Sequence, residues 1–212
     1  MSQTATKTEI GNMALGHLGN GTEVQNVDED DSSEAAALRR FFEPALRKFQ
    51  RDYPFSFTSR IKALTLVETN PNGEWTYSYR YPSDCVELRR ILSGRRNDNR
   101  QSKVAWRKAQ DDDGLLIYCD LQNAEAEYSK YTDNVTIFPP DFVMAFSYLW
   151  ASLAAASITA GDPYKLGQKM LTMYVMAADD AMAKDSNEEQ PDQKPESEFV
   201  RARGLSYEDD GA

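Results

Sequence analysis

The stretch FVMAFSYLWASLAAASIT, residues 142–159, constrains the fold of this chain most because it contains no charged side chain. As an α-helix rising about 1.5 Å per residue it would be roughly 27 Å long, close to the thickness of a bilayer's hydrocarbon core. It nevertheless contains three serines, has acidic residues near both ends and lacks a flanking cluster of Lys or Arg. The sequence therefore favours a helix buried on every side, in a core or between subunits, over a transmembrane span.

Composition narrows the class of protein. The chain has 212 residues, of which 41% are hydrophobic and 27% charged, a soluble globular composition. Its net charge of −10 argues against a protein that coats nucleic acid or binds an anionic membrane surface. The first ten residues lack the apolar core of a signal peptide, which argues against secretion. Cys85 and Cys119, without a CxxC spacing, are predicted to be free thiols in a reducing compartment.

Helical periodicity predicts a bundle of about four helices. Thr6 or Thr8 is predicted to cap the first helix, and Asp141, which follows two prolines, is predicted to cap the third. Pro44 is predicted to kink the second helix or to break it into two shorter ones. The predicted helices cover residues 8–19, 33–52, 141–159 and 162–185.

Between the second and third helices, at about residues 61–138, the hydrophobic period changes to two and predicts an antiparallel β-rich insertion. The fold class is therefore α+β: a helical bundle with this insertion, together forming one domain over residues 1–185. Aromatic residues that alternate in one strand could form a base-stacking platform, but sheet packing with hydrogen-bonded hydroxyls is favoured. The predicted strands cover residues 63–67, 75–81, 86–92, 114–119 and 124–131.

The loop at residues 94–103 is the most basic and least apolar in the chain. Three interpretations stay open: a solvated hairpin tip, a contact with an acidic partner such as a neighbouring copy, and a contact with DNA phosphates. Its cations form the candidate interface with another subunit or a tail protein: Arg95, Arg96, Arg100 and Lys103.

The final helix carries apolar and Met-rich positions on one face, which favours a core face but is also compatible with an interface. These positions are Leu166, Met170, Met173, Tyr174, Ala177, Ala181 and Met182. After it, residues 186–212 are predicted to form a flexible C-terminal arm: a polar, proline-containing spacer precedes apolar anchors, a pattern typical of a segment that docks on another surface. The candidate docking residues are Phe199, Val200, Arg201, Arg203, Leu205 and Tyr207.

No motif for catalysis stands out in the sequence. There is no GxxxxGK[ST], no GxGxxG after a strand and no HExxH, and the single histidine, His17, lies beside the apolar stripe of the first helix. The acidic loop at residues 28–33 is predicted to cap the second helix rather than to hold a cation. No catalytic, cofactor-binding or metal-binding residue is predicted, and the chain is interpreted as a structural or binding protein rather than an enzyme.

Four motifs in order carry a family resemblance: ALGHLG at residues 14–19, EAAAL at 34–38, YPFSF at 53–57 and WTYSYRYPSDC at 75–85. Together they resemble the head-to-tail adaptor proteins of short-tailed bacteriophages, of the tail tubular or head-completion type, over residues 8–185. This sequence differs from the family's "P-W-x-F-A" stretch at two positions, because Phe55 replaces the tryptophan and Thr58 replaces the alanine.

The resemblance implies a helical bundle with a β-rich insertion that assembles into a dodecameric ring under the portal. Such a ring extends the DNA channel and provides a docking platform for tail nozzle or fibre proteins. The arm would bind the portal, and the acidic balance suits a channel through which DNA slides without sequence-specific binding. The protein would lie in the neck or tail of the virion after assembly in the host cytoplasm, with no membrane as partner.

Three alternatives remain open at the level of sequence. The first is a neck or head-completion protein of a long-tailed phage with the same helical core. The second is a DNA-binding module that uses the loop from Arg95 to Lys103 together with the tyrosine-rich sheet. The third is an enzyme, such as a cell-wall hydrolase with a pair of carboxylates.

Overall fold

The computed structural model describes residues 5–94, 103–159 and 161–188. Within these ranges the chain forms four α-helices and two antiparallel sheets, which confirms the predicted α+β class. The helices are α1 (Lys7–His17), α2 (Ser33–Asp52), α3 (Pro140–Ile158) and α4 (Pro163–Glu188). The strands, in chain order, are β1 (Ser59–Ala63), β2 (Leu66–Thr69), β3 (Tyr77–Arg80), β4 (Cys85–Leu92), β5 (Trp106–Asp111), β6 (Gly114–Cys119) and β7 (Glu125–Lys130).

The first helix begins and ends with local hydrogen bonds that the sequence supplies. Thr6 accepts from the Glu9 amide at 3.2 Å while the Glu9 carboxylate accepts from the Thr6 amide at 2.6 Å, which is a capping box. The helix ends two residues earlier than predicted. Gly19 follows with φ 73°, a left-handed conformation in which glycine is unstrained and the chain can leave the helix.

Two details of helix geometry differ from expectation. The helix α2 is unbroken through Pro44, so the alternative of two shorter helices is wrong. Pro44 and Arg40, whose carbonyl loses its helical donor, are both exposed, so water can satisfy that carbonyl. Asp141 is not the N-cap of α3, because the helix begins one residue earlier at Pro140 and Pro139 occupies the cap position without a side-chain hydrogen bond. Asp141 instead lies in the first turn, where it accepts from Lys184 Nζ at 2.7 Å.

The helix α3, which contains most of the charge-free stretch, lies at the centre of the bundle and packs against α1, α2 and α4. Its Phe142, Phe146 and Trp150 have no exposed surface, and the Trp150 indole N–H donates to the Leu38 carbonyl at 3.0 Å. By length and composition it is the one helix among the described residues that could cross a membrane, but 56% of its apolar window is buried inside the chain. The chain's own helices therefore bury part of this stretch, but Met144, Ala156 and Ser157 are exposed, so the predicted burial on every side is not reached within one chain.

The β-rich insertion contains two sheets with separate strand orders. The first sheet runs β1-β7-β4 and the second runs β2-β3-β6-β5, so β1 and β2 are both edge strands. A second apolar cluster lies between these strands, with Tyr79, Ile117 and Tyr128 as its largest fully buried side chains. The insertion thus has a core of its own beside the core of the helical bundle.

The single strand predicted over residues 63–67 is wrong, because the chain changes sheets there. β1 ends at Ala63 and β2 begins at Leu66, and the buried Leu64 between them donates its amide to the Ala124 carbonyl at 2.9 Å. A strand that the sequence did not predict, β5, pairs with β6 along its full length. Its RKAQD segment lacks apolar alternation because β5 is a largely solvent-facing edge strand.

Candidate interaction surfaces

The two sets of residues predicted as interfaces lie mainly outside the described residues. All six docking residues of the arm (Phe199, Val200, Arg201, Arg203, Leu205 and Tyr207) fall there, as do Arg95, Arg96 and Arg100 of the basic loop. Lys103 is described and exposed, and it precedes β5 by three residues. The loop therefore connects β4 of the first sheet to β5 of the second.

The outer helix of the bundle is α4, which packs mainly against α3. Its buried stripe contains Met170, Tyr174, Ala178 and Ala181. Gly167 brings the two helices close together, because a Cβ at this position would lie 3.1 Å from the Ser152 carbonyl oxygen. The buried face of α4 is therefore rotated slightly around the helix axis relative to the predicted face. Of the other predicted positions, Leu166, Ala177 and Met182 are half-buried and Met173 is exposed.

The sides of α4 that turn away from α3 expose large apolar side chains. Tyr164 is 85% exposed, Met176 66%, Val175 46% and Met173 37%. We call these residues the α4 apolar surface. Sequence periodicity singled out only Met173 among them, because the other three do not follow the spacing of the buried positions.

The last turn of α4 is held by a buried carboxylate. Asp185 is 8% exposed, and its two oxygens accept from the backbone N–H and the hydroxyl of Ser56 at 2.8 and 2.7 Å. One residue earlier, Lys184 contacts both Asp141 at 2.7 Å and Asp180 at 2.9 Å, and the hydrogen bond to Asp141 is the main reason that the pKa of Lys184 is raised. These contacts fix the point at which the chain leaves the bundle.

Immediately after Ser56, the chain forms one wall of a groove of about 260 Å³ between the bundle and the first sheet. Lys130 and Arg60 supply positive charge, and Ile137, 45% exposed, supplies apolar surface. Arg60 also pairs with Asp84 at 2.7 Å, whereas Lys130 has no ion pair with any residue of the described ranges. The full lining is Phe57, Thr58, Ser59, Arg60, Lys130, Thr132 and Ile137. We call this the β1–β7 groove.

The tyrosine-rich strand is part of the insertion core. Tyr79 is 1% exposed, and its hydroxyl donates to the Leu121 carbonyl at 2.7 Å. Burial raises the pKa of Tyr79. Trp75, Tyr77 and Tyr81 are half-buried, and Lys108 Nζ lies 4.6 Å from the centre of the Tyr81 ring. Tyr77 and Tyr81 pack against the core that contains Tyr79, as favoured from the sequence.

The histidine and the two cysteines, the side chains best suited to catalysis, are packed against other side chains. His17 stacks on Tyr148 at 4.1 Å between ring centres, its Nε2 lies 3.0 Å from Ser147 Oγ, and burial lowers its pKa. Cys85 and Cys119 are free thiols, and burial raises the pKa of Cys85 to about 11. Within the described ranges, no three His, Cys, Asp or Glu side chains are grouped as a metal site.

A comparison with protein-family models finds no match for this chain, and a comparison with curated proteins finds no similar sequence. The resemblance to phage head-to-tail adaptors therefore stays a prediction drawn from the four sequence motifs.

Proposed function

We propose that this protein is a structural virion protein: a head-to-tail adaptor whose copies form a ring under the portal. In this role it extends the DNA channel, offers a platform to tail nozzle or fibre proteins and binds the portal through residues 186–212. No chemistry is required of it. Its contribution is to join two assemblies by burying surface that is exposed in the free chain.

The α4 apolar surface is the observation that carries this proposal. Tyr164, Val175 and Met176 are exposed on a helix that already packs one face against α3. Burying apolar area contributes about 25 cal/mol per Å², so covering these side chains with a second copy would favour association. A ring in which each copy covers the α4 surface of its neighbour would use these residues.

The motif that carries the family resemblance also has a defined role in the structure. Residues 77–85 form β3 and the entry to β4, where the Asp84 carboxylate accepts from the Tyr128 hydroxyl at 2.9 Å and from Arg60 at 2.7 Å. These bonds join β1, β4 and β7 at one end of the first sheet. The motif thus supports the insertion that would project from the ring.

The direct test is native mass by light scattering, with the full chain alone and after mixing with the portal protein of the same phage. We expect a complex that contains several copies of this chain on each portal. A full-length variant with Phe199, Leu205 and Tyr207 changed to serine should no longer form it. A chain that stays monomeric and never joins the portal would overturn the proposal.

The role of α4 is tested separately by Val175→Asp and Met176→Asp, which place charge on the proposed contact. Both should reduce the number of copies in the complex. Leu115→Asp is the matched control, because Leu115 is 40% exposed on β6, away from α4. Equal loss in all three variants would argue against α4 as the contact between copies. DNA binding with a steep salt dependence would instead favour the DNA-binding alternative.

A further inference from the structure

We propose that the β1–β7 groove binds residues 189–200 of the same chain, so that in the free protein the C-terminal arm is held against its own body. The inference concerns the free protein and does not rest on the portal as the arm's partner. It assigns a binding surface that includes Lys130, Arg60 and Ile137. Its occupant is an acidic segment with an aromatic anchor.

The last turn of α4 lies next to the segment that forms one wall of the groove. Asp185 bonds to both the N–H and the hydroxyl of Ser56, and the next residue, Phe57, begins the lining of the groove. Phe57 packs on Phe55, with ring centres 5.7 Å apart. Phe55 lines a small cavity together with Asp185 and Glu188. The chain that follows Glu188 therefore starts close to the groove.

Length does not prevent the segment from reaching the groove. Ten residues separate Glu188 from Phe199. An extended chain spans at most about 3.3–3.6 Å per residue, so this spacer can reach roughly 35 Å. Because the tether is short, the effective concentration of the segment at the groove is in the millimolar range.

Charge and polarity are complementary between the two partners. Residues 189–200, EQPDQKPESEFV, carry four carboxylates and one lysine before the apolar pair Phe199 and Val200. In the groove, Lys130 has no ion-pair partner among the described residues, and Arg60 supplies a second positive charge. Ile137 adds an exposed apolar side chain. An acidic segment that ends in an aromatic side chain matches this surface in both charge and apolar character.

Lysine footprinting of the full chain tests the inference without altering the groove. The measured quantity is the acylation rate of Lys130 divided by that of Lys48, an exposed lysine of α2 whose side chain pairs with Asp52. If the segment binds with a Kd of about 0.1 mM, millimolar effective concentration would keep the groove about nine-tenths occupied and slow acylation of Lys130 about tenfold. Phe199→Ser, and separately Glu196→Gln with Glu198→Gln, should restore fast acylation.

Tyr207→Ser is the matched control, because it removes an arm aromatic that lies outside the proposed occupant. It should leave the Lys130 ratio unchanged. The wild-type ratio should also be independent of protein concentration. Protection that grows with concentration would show that the segment of a second copy fills the groove, and a ratio unchanged by every arm variant would show that the arm does not bind there. Either result would overturn the proposal.

Discussion

The side chain of Gln50 and the backbone of Thr132 form a closed pair of hydrogen bonds across 82 residues of sequence. Gln50 Nε2 donates to the Thr132 carbonyl at 2.6 Å, and the Thr132 N–H donates to Gln50 Oε1 at 3.1 Å. Gln50 is fully buried in the last turn of α2. The chain leaves the β-rich insertion near Thr132. The pair of hydrogen bonds attaches this exit point to α2, the helix that precedes the insertion.

Gln50→Ala should lower the free energy of unfolding by about 1–3 kcal/mol, because it removes both hydrogen bonds to the half-buried backbone of Thr132. Urea unfolding followed by circular dichroism measures the loss. Gln168→Ala is the control, since Gln168 is exposed on α4, and should change stability by less than about 0.5 kcal/mol. Equal effects of the two substitutions would contradict a role for the Gln50 pair.

Arg89 and Arg90 are neighbours on β4 with different surroundings. Arg89 donates from Nε and Nη2 to Ser129 Oγ at 2.9 and 2.7 Å, and its Nη2 reaches the Gln50 carbonyl at 3.3 Å. Burial lowers the pKa of Arg89, although the cation also faces carbonyls at the C-terminal end of α2. Arg90 is exposed and pairs with Glu127 at 2.6 Å.

Arg89→Lys should therefore lower stability by about 1–3 kcal/mol, because one ammonium group does not reproduce the planar fork of donors. Arg90→Lys should change it by less than about 0.5 kcal/mol, as expected of an exposed ion pair. Thermal unfolding of the two variants side by side gives the comparison. The interpretation fails if the Arg90 variant is the less stable one.

Two glycines of α1 provide a packing test. A Cβ on Gly11 would lie 3.1 Å from both Leu38 Cδ1 and Val27 Cγ2, whereas a Cβ on Gly16 would meet no atom within 4 Å. Gly16→Ala should stabilise the protein by about 0.5 kcal/mol through helix propensity. Gly11→Ala should instead destabilise it by about 1–2 kcal/mol, because Leu38 and Val27 are fully buried and overpacking outweighs propensity. Denaturant midpoints that shift in the same direction would refute this contrast.

The pH dependence of stability should contain a contribution from His17. Burial lowers its pKa in the folded state, so the unfolded chain binds a proton more readily. Stability contributed by neutral His17 is therefore fully present above about pH 6.5, the unfolded pKa, and decreases as the pH falls below it. Urea unfolding at pH 7.5 and pH 5 should show a larger loss for the wild type than for His17→Gln, which keeps an N–H near Ser147. A loss of equal size in both proteins would exclude this contribution.

Local features of the fold could be read from the sequence. The cap at Thr6, which was one of two candidates, the helix at residues 33–52 and the strand at residues 114–119 match the structure because each depends on neighbours within a few residues. The burial of residues 142–159 was predictable only in part, because the stretch packs into the core but also exposes Met144, Ala156 and Ser157.

Tertiary structure decided the features that depend on distant pairs of residues. The chain crosses between sheets at Leu64 because the Leu64 amide finds its acceptor at Ala124. The last turn of α4 is fixed to Ser56 by Asp185 across 129 residues. The β1–β7 groove exists because Ser56, Gln50 and Thr132 place the bundle and the first sheet side by side. Hydrophobic periodicity and helix caps depend on interactions between residues that are close in sequence. A surface made by separate segments forms only when the whole chain has folded.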